Sequence, residues 1–103
     1  MMIARRRSRW PSVSKELTVL NRHGLHARPA TELVRCVRTF ESTVWILAHG
    51  KRYHADRIMD VLLSKLDRGS TFTLEASGPD AEEAIRQIEL LLSQLKETED
   101  QAV

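Results

Sequence analysis

The sequence predicts an α+β domain in which three helices cover one face of a four-stranded sheet, in the order β-α-β-β-α-β-α. Three observations predict it. Apolar residues recur at the three-and-four spacing of a helix from Ala30 to Phe40 and again from Ala81 to Leu95. Short β-prone runs alternate with those stripes. All four glycines, Gly24, Gly50, Gly69 and Gly78, fall at the joints between segments.

A chain of 103 residues supports one hydrophobic core, since a second would leave each too small. With 42% hydrophobic and 29% charged residues it is neither collagenous, low-complexity nor wholly disordered. No apolar run approaches the roughly 20 residues of a membrane span, so no membrane insertion is expected. Arg5, Arg6, Arg7 and Arg9 carry the positive excess behind the net charge of +2, the rest being close to neutral, but the polar run after them, Trp10 to Lys15, lacks the apolar stretch of an export signal. A cytoplasmic protein is expected. The single cysteine, Cys36, fits a reducing compartment and is expected to be a packed, unreactive thiol beside a helical stripe.

Residues 1–14 read as a basic flexible extension, 15–98 as the domain and 99–103 as a frayed tail. Order is expected to begin near Glu16, with a strand over 17–20 closed by Asn21-Arg22-His23-Gly24. The first helix buries Ala30, Leu33, Val34, Val37 and Phe40 and leaves Glu32, Arg35 and Arg38 outward. Strands over 43–48 and 51–55 flank His49-Gly50, a tight turn in which Gly50 accepts positive φ. A short helix over 57–66 turns Ile58, Val61, Leu62 and Leu66 inward. Residues 70–76 alternate Phe72 and Leu74 with Thr71, Thr73 and Glu75, the pattern of a half-buried strand. The last helix has Asp80 as its expected N-cap, Glu83 in the capping-box position, and a stripe of Ala81, Ala84, Ile85, Ile88, Leu91, Leu92 and Leu95.

Chemistry concentrates in Gly24-Leu25-His26-Ala27-Arg28-Pro29-Ala30, between the first strand and first helix. Pro29 marks a first helical turn, where its missing N–H would be unpaired anyway. His26 therefore stands at a helix N-terminus. The free N–H groups of Ala27 and Arg28, with the positive end of the helix dipole, form an anion site beside it. An ordinary imidazole, with a pKa of about 6.5, is largely uncharged in the cytoplasm, and its neutral nitrogen is a nucleophile. Arg28 offers a planar charged fork suited to phosphate oxygens. Stabilisation of a bound phosphoryl group must be moderate, because a bond held too well does not transfer onward.

This motif resembles the active-site segment of the HPr family, the phosphocarriers of the bacterial phosphoenolpyruvate-dependent sugar phosphotransferase system. The resemblance runs from about Glu16 to Leu95 and includes Gly50-Lys51, Arg57-Ile58-Met59, Gly69 and Gly78. It implies an open-faced β-sandwich in which an antiparallel sheet is backed by helices. It implies that Enzyme I phosphorylates His26 with help from Arg28, and that a IIA domain of a sugar permease system receives the group. The protein is then a phosphoryl carrier acting as a monomer, with no cofactor and no stand-alone catalysis. The partner surface implied is Ile58, Met59 and Leu62 with the basic Arg35 and Arg38. Since periodicity turns Ile58 and Leu62 inward, Met59 and Ile58 are the pair expected to be more exposed.

Three departures from the family pattern stand out. Its regulatory serine falls on Arg57, so serine-directed control is expected to be absent. Asp60 stands where glycine or lysine is common, and the arginine-rich extension is additional.

Other readings are weaker. His23 and His26 have His-x-x-His spacing, and His49 and His54 add two imidazoles, but no cysteine pair or carboxylate accompanies them, so no metal is expected. The Arg5-to-Arg9 arm with Trp10 suggests a nucleic-acid module, yet the domain is not strongly basic and has no aromatic stacking motif on a strand. Within the phosphocarrier class, a regulatory, nitrogen-type relay paralogue would retain His26 and differ in its partners.

Overall fold

The structure, a computed structural model, describes residues 10–101. The arginine arm, with its nucleic-acid reading, lies outside the described residues, as do Ala102 and Val103 of the expected tail. The elements are β1 (Ser12–Thr18), α1 (Ala27–Val37), β2 (Thr43–Ala48), β3 (Lys51–His54), α2 (Ile58–Leu63), β4 (Thr71–Ser77) and α3 (Ala81–Gln101). The strands form one antiparallel sheet in the order β1-β4-β2-β3, and the three helices back one face of it, making an open-faced β-sandwich.

Alternation decides which face is covered. Val44, Ile46 and Ala48 of β2 and Phe72, Leu74 and Ala76 of β4 are buried, with Ile46 paired to Leu74 and Val44 to Ala76. Ala30, Leu33, Val34 and Val37 of α1 and Ile85, Ile88, Leu92 and Leu95 of α3 close over them. The opposite face carries Thr43, Thr71, Thr73 and Glu75. Its large ring, Trp45, is covered by the Arg52 guanidinium at 4.5 Å from the ring centroid, and Arg52 Nη2 donates to Glu75 Oε1 at 2.7 Å. The hairpin turns at His49-Gly50, both at positive φ (53° and 73°).

Two terminal expectations are corrected. The first strand begins at Ser12, so residues 12–14 belong to the sheet and not to a flexible extension; it also ends at Thr18, before the expected 19–20. Its order comes from pairing with β4, Ser12 opposite Ser77 through Thr18 opposite Thr71, which local hydropathy does not reveal. At the other end, α3 continues through Gln101, so residues 99–101 are helix instead of a frayed tail. Glu99 anchors them by accepting hydrogen bonds from Asn21 Nδ2 at 3.0 Å and the His23 backbone N–H at 2.9 Å.

Asp80 precedes α3 as expected, but its carboxylate reaches across the fold. It accepts from Glu41 N at 3.0 Å, Ser42 N at 2.9 Å and Ser42 Oγ at 2.5 Å, clamping the chain that enters β2. These donors hold its carboxyl below the ordinary value, the Ser42 hydroxyl contributing most. The expected capping box is not what Glu83 builds: its carboxylate accepts from Gln87 Nε2 at 2.8 Å and from Arg86.

Candidate functional site

The segment leading to His26 is fastened on both sides. Gly69 N donates to Val19 O at 2.8 Å and Val19 N to Ser70 O at 2.9 Å, prolonging the β1–β4 pairing past the strand ends. The turn over 21–24 follows, held by Asn21 Nδ2 donating to Gly24 O at 2.8 Å. Leu25 is wholly buried and its N–H donates to Leu66 O at 2.9 Å. Pro29 and Ala30 are buried after it. With apolar anchors on either side, His26, Ala27 and Arg28 are held at the surface as the chain enters α1.

Gly24 permits this crossing. A Cβ there would lie 2.6 Å from Leu66 O and 2.9 Å from Asp67 Cα, and its φ is +64°. Only glycine lets the loop before α1 lie directly on the loop after α2.

His26 is the N-cap of α1, extended at φ −119° and ψ 154°, and its side chain makes no capping hydrogen bond. Ala27 then adopts φ +50°, a left-handed conformation costing a non-glycine residue roughly 1 kcal/mol or more. The first amides of α1, those of Ala27 and Arg28, have no partner one turn back. The imidazole is 44% exposed, and its Nε2 lies 2.6 Å from Asp67 Oδ1. Arg28 projects into solvent, with Nε 3.6 Å from Glu32 Oε2, so its guanidinium is free to swing about its stem. A groove between the head of α1 and the end of α3 adjoins the imidazole, walled by Pro29, Leu91, Gln94, Leu95 and Thr98.

The neighbouring surface modifies one expectation. Met59 is 62% exposed and so is Leu63 at 59%, one helical turn on, whereas Ile58 and Leu62 are partly buried against the core. The apolar patch of α2 is therefore Met59 with Leu63, not Met59 with Ile58. Leu63 was not among the residues singled out in the sequence; its spacing of four from Met59 on one short helix was the signal that could have found it. Arg35 is exposed; Arg38 is exposed too, but its Nε donates to Asp56 O at 3.0 Å. Asp60 accepts the His54 backbone N–H at 2.9 Å and so fastens β3 to α2.

The remaining candidates lie apart. His23 is exposed, His49 Nε2 is 2.9 Å from Ser64 O, and the His54 ring is tilted against Trp45 at 6.5 Å. Cys36 is partly buried, which pushes its thiol up from the ordinary value and away from the reactive thiolate. Asp67 was not among the residues singled out in the sequence: it lies 41 positions from His26, in a loop where carboxylates are commonplace.

An open-faced β-sandwich whose first helix begins at a half-exposed histidine defines the class of small phosphocarrier proteins. Comparison with known proteins agrees. Residues 13–94 match the family described as "PTS HPr component phosphorylation site". The chain is 42% identical over 72 residues to the phosphocarrier protein NPr of Proteus mirabilis, covering 69% of this chain and 80% of that one. It is 37% identical over 73 residues to the phosphocarrier protein HPr of Cupriavidus necator, covering 71% and 82%. The crystal structure of HPr from Bacillus anthracis superposes with a TM-score of 0.76 at 32% identity, covering 78% of this chain and 95% of the other. The chain belongs to the HPr family and is an HPr-type phosphocarrier of the phosphotransferase system.

Proposed function

We propose that His26 accepts a phosphoryl group from phosphoenolpyruvate-charged Enzyme I and passes it to a IIA domain. The observation that carries this reading is the position of the imidazole: half exposed, at the head of α1, beside amides that have no helical partner. Nδ1 is the nucleophile, because Nε2 is engaged by Asp67. The amides of Ala27 and Arg28 receive the phosphoryl oxygens, and the Arg28 guanidinium turns from Glu32 to share their charge. All these contacts are open to solvent, which keeps the product's stabilisation moderate enough for onward transfer.

Both partners dock over Met59 and Leu63, with Ile58 and Leu62 beneath them, and meet the basic Arg35 and Arg38 at the rim. A flexible methionine at the centre suits a surface that receives more than one protein. Arg57 at the N-cap of α2 leaves no serine for ATP-dependent control at that position. The carrier works in the cytoplasm as a monomer, where both partners present their phosphorylation sites.

Incubation with phosphoenolpyruvate and Enzyme I tests the reading. It expects an acid-labile, base-stable phosphoryl group on His26 that is abolished in His26→Ala; label that persists in that variant contradicts it. A second reading, a nitrogen-type regulatory relay, is favoured by the 42% identity to NPr. Reconstitution with sugar-type and nitrogen-type IIA domains separates the two, since a regulatory relay need not support sugar phosphorylation.

A further inference from the structure

Phosphoryl transfer to an imidazole requires one particular nitrogen to present a lone pair. In a neutral ring one nitrogen holds the proton and the other is free, and the hydrogen bond made by the first selects the second. An isolated histidine exchanges between the two forms. At this site the choice is built in: His26 Nε2 and Asp67 Oδ1 are 2.6 Å apart, and a carboxylate only accepts, so the proton belongs on Nε2.

We propose that Asp67 is a positioning residue for His26, holding it in the Nε2–H form with its Nδ1 lone pair available. The proposal rests on the phosphocarrier reading of His26 and deepens it. Three features of the fold deliver the carboxylate to the ring. Leu25 N donates to Leu66 O, fixing the residue before His26 against the residue before Asp67. Gly24 lacks the Cβ that would strike Asp67 Cα. Ser70 N donates to Asp67 O at 3.0 Å, and Lys65 stands at φ +47°, so the loop carrying Asp67 is a defined turn.

The same contact serves the chemistry. As the Nδ1–P bond forms, the bond between phosphorus and the phosphorylated protein donor breaks, and its electron pair leaves with the donor. The ring, still protonated on Nε2, takes up a positive charge, which the Asp67 carboxylate offsets across that N–H. Onward transfer reverses the sequence: the acceptor's nucleophile attacks phosphorus, the N–P pair returns to Nδ1, and the charge on the ring disappears. Asp67 keeps its own charge throughout and touches neither donor nor acceptor.

The pair is exposed, the Asp67 side chain at 73%, so changing it should not unfold the domain. Asp67→Asn is the decisive variant, because an amide can donate to Nε2 and stabilise the opposite tautomer. Long-range ¹H–¹⁵N spectra of the unphosphorylated, ¹⁵N-labelled full chain, taken where the ring is neutral, should show His26 chiefly as Nε2–H. The Asn variant should shift the population toward Nδ1–H and slow phosphorylation by phosphoenolpyruvate and Enzyme I roughly tenfold, while Asp67→Glu recovers part of both. An unchanged tautomer population in Asp67→Asn, with an unchanged rate, overturns the proposal. A native chain that takes no phosphoryl group at His26 contradicts the phosphocarrier reading instead; the tautomer measurement then decides the role of Asp67 by itself.

Discussion

Glu99 Oε2 accepts a hydrogen bond from Asn21 Nδ2 at 3.0 Å, so the last turns of α3 are fastened to the turn that leads into His26, 78 positions earlier in the chain. Asn21 is wholly buried, and the second proton of its amide goes to Gly24 O. Asn21→Ala should cost about 1–3 kcal/mol, because it removes both hydrogen bonds of a buried amide, one to the Gly24 carbonyl and one to Glu99 Oε2, leaving Glu99 only its bond from the His23 N–H. Urea unfolding measures the loss. Removal of residues 99–103 should cost less but speed amide exchange over 21–24; protection unchanged there would show that the tie does not order the loop.

Gly24→Ala and Gly50→Ala separate crowding from backbone strain. Both glycines have positive φ, but a Cβ on Gly50 meets nothing within 4 Å, whereas one on Gly24 meets the backbone of Leu66 and Asp67. Gly50→Ala should lower stability by about 1 kcal/mol. Gly24→Ala should lower it by about 2 kcal/mol or more and also slow phosphorylation, since the loops must part and carry Asp67 away from His26. Equal losses in the two variants, with equal rates, would contradict the crossing described for Gly24.

Asp80 makes a prediction about acid. Its folded-state carboxyl lies below the ordinary value of 3.8, so the unfolded chain binds the proton more readily than the folded one. The stabilisation is then complete above pH 3.8 and declines as the pH falls from there through the depressed folded value. In Asp80→Asn the decline in stability across that acid range should be shallower, as read from urea midpoints at successive pH values. Parallel curves for the two proteins would remove Asp80 from the acid response.

Much of this was legible from local pattern. The α1 and α3 stripes, the His49-Gly50 hairpin and the alternation of Phe72 and Leu74 each declare themselves within a few residues, because helix and strand periods differ. What escaped is non-local. β1 is an edge strand whose inward positions include Lys15, paired with Glu89 across 2.7 Å, so its first half looks like polar loop. Asp80 and Glu99 looked like a helix cap and a solvated tail, since nothing nearby in sequence announces their partners at Ser42 and Asn21. His26 was legible because its site is made from one continuous segment, while Asp67 arrives from another loop.

Arg28→Lys should slow phosphoryl transfer several-fold while leaving the melting temperature unchanged, because Arg28 is almost fully exposed and lysine replaces its fork with a point charge. Rapid-quench kinetics with Enzyme I reads this directly. Unchanged kinetics would take Arg28 out of the mechanism.

Met59→Ser and Leu63→Ser remove exposed apolar area from the α2 face and should change stability by no more than about 0.5 kcal/mol. Each should raise the KM of Enzyme I for the carrier with little change in kcat, as expected of a docking contact. A kcat loss at unchanged KM would move these residues from docking to chemistry.

The most direct test of the phosphocarrier account follows one phosphoryl group through the protein. The chain is charged with labelled phosphoenolpyruvate and Enzyme I, purified, and mixed with a IIA domain in the absence of further donor. The account predicts that label leaves His26 and reaches the IIA domain in equal amount. Label that stays on the chain, or that maps to any residue other than His26, would contradict it.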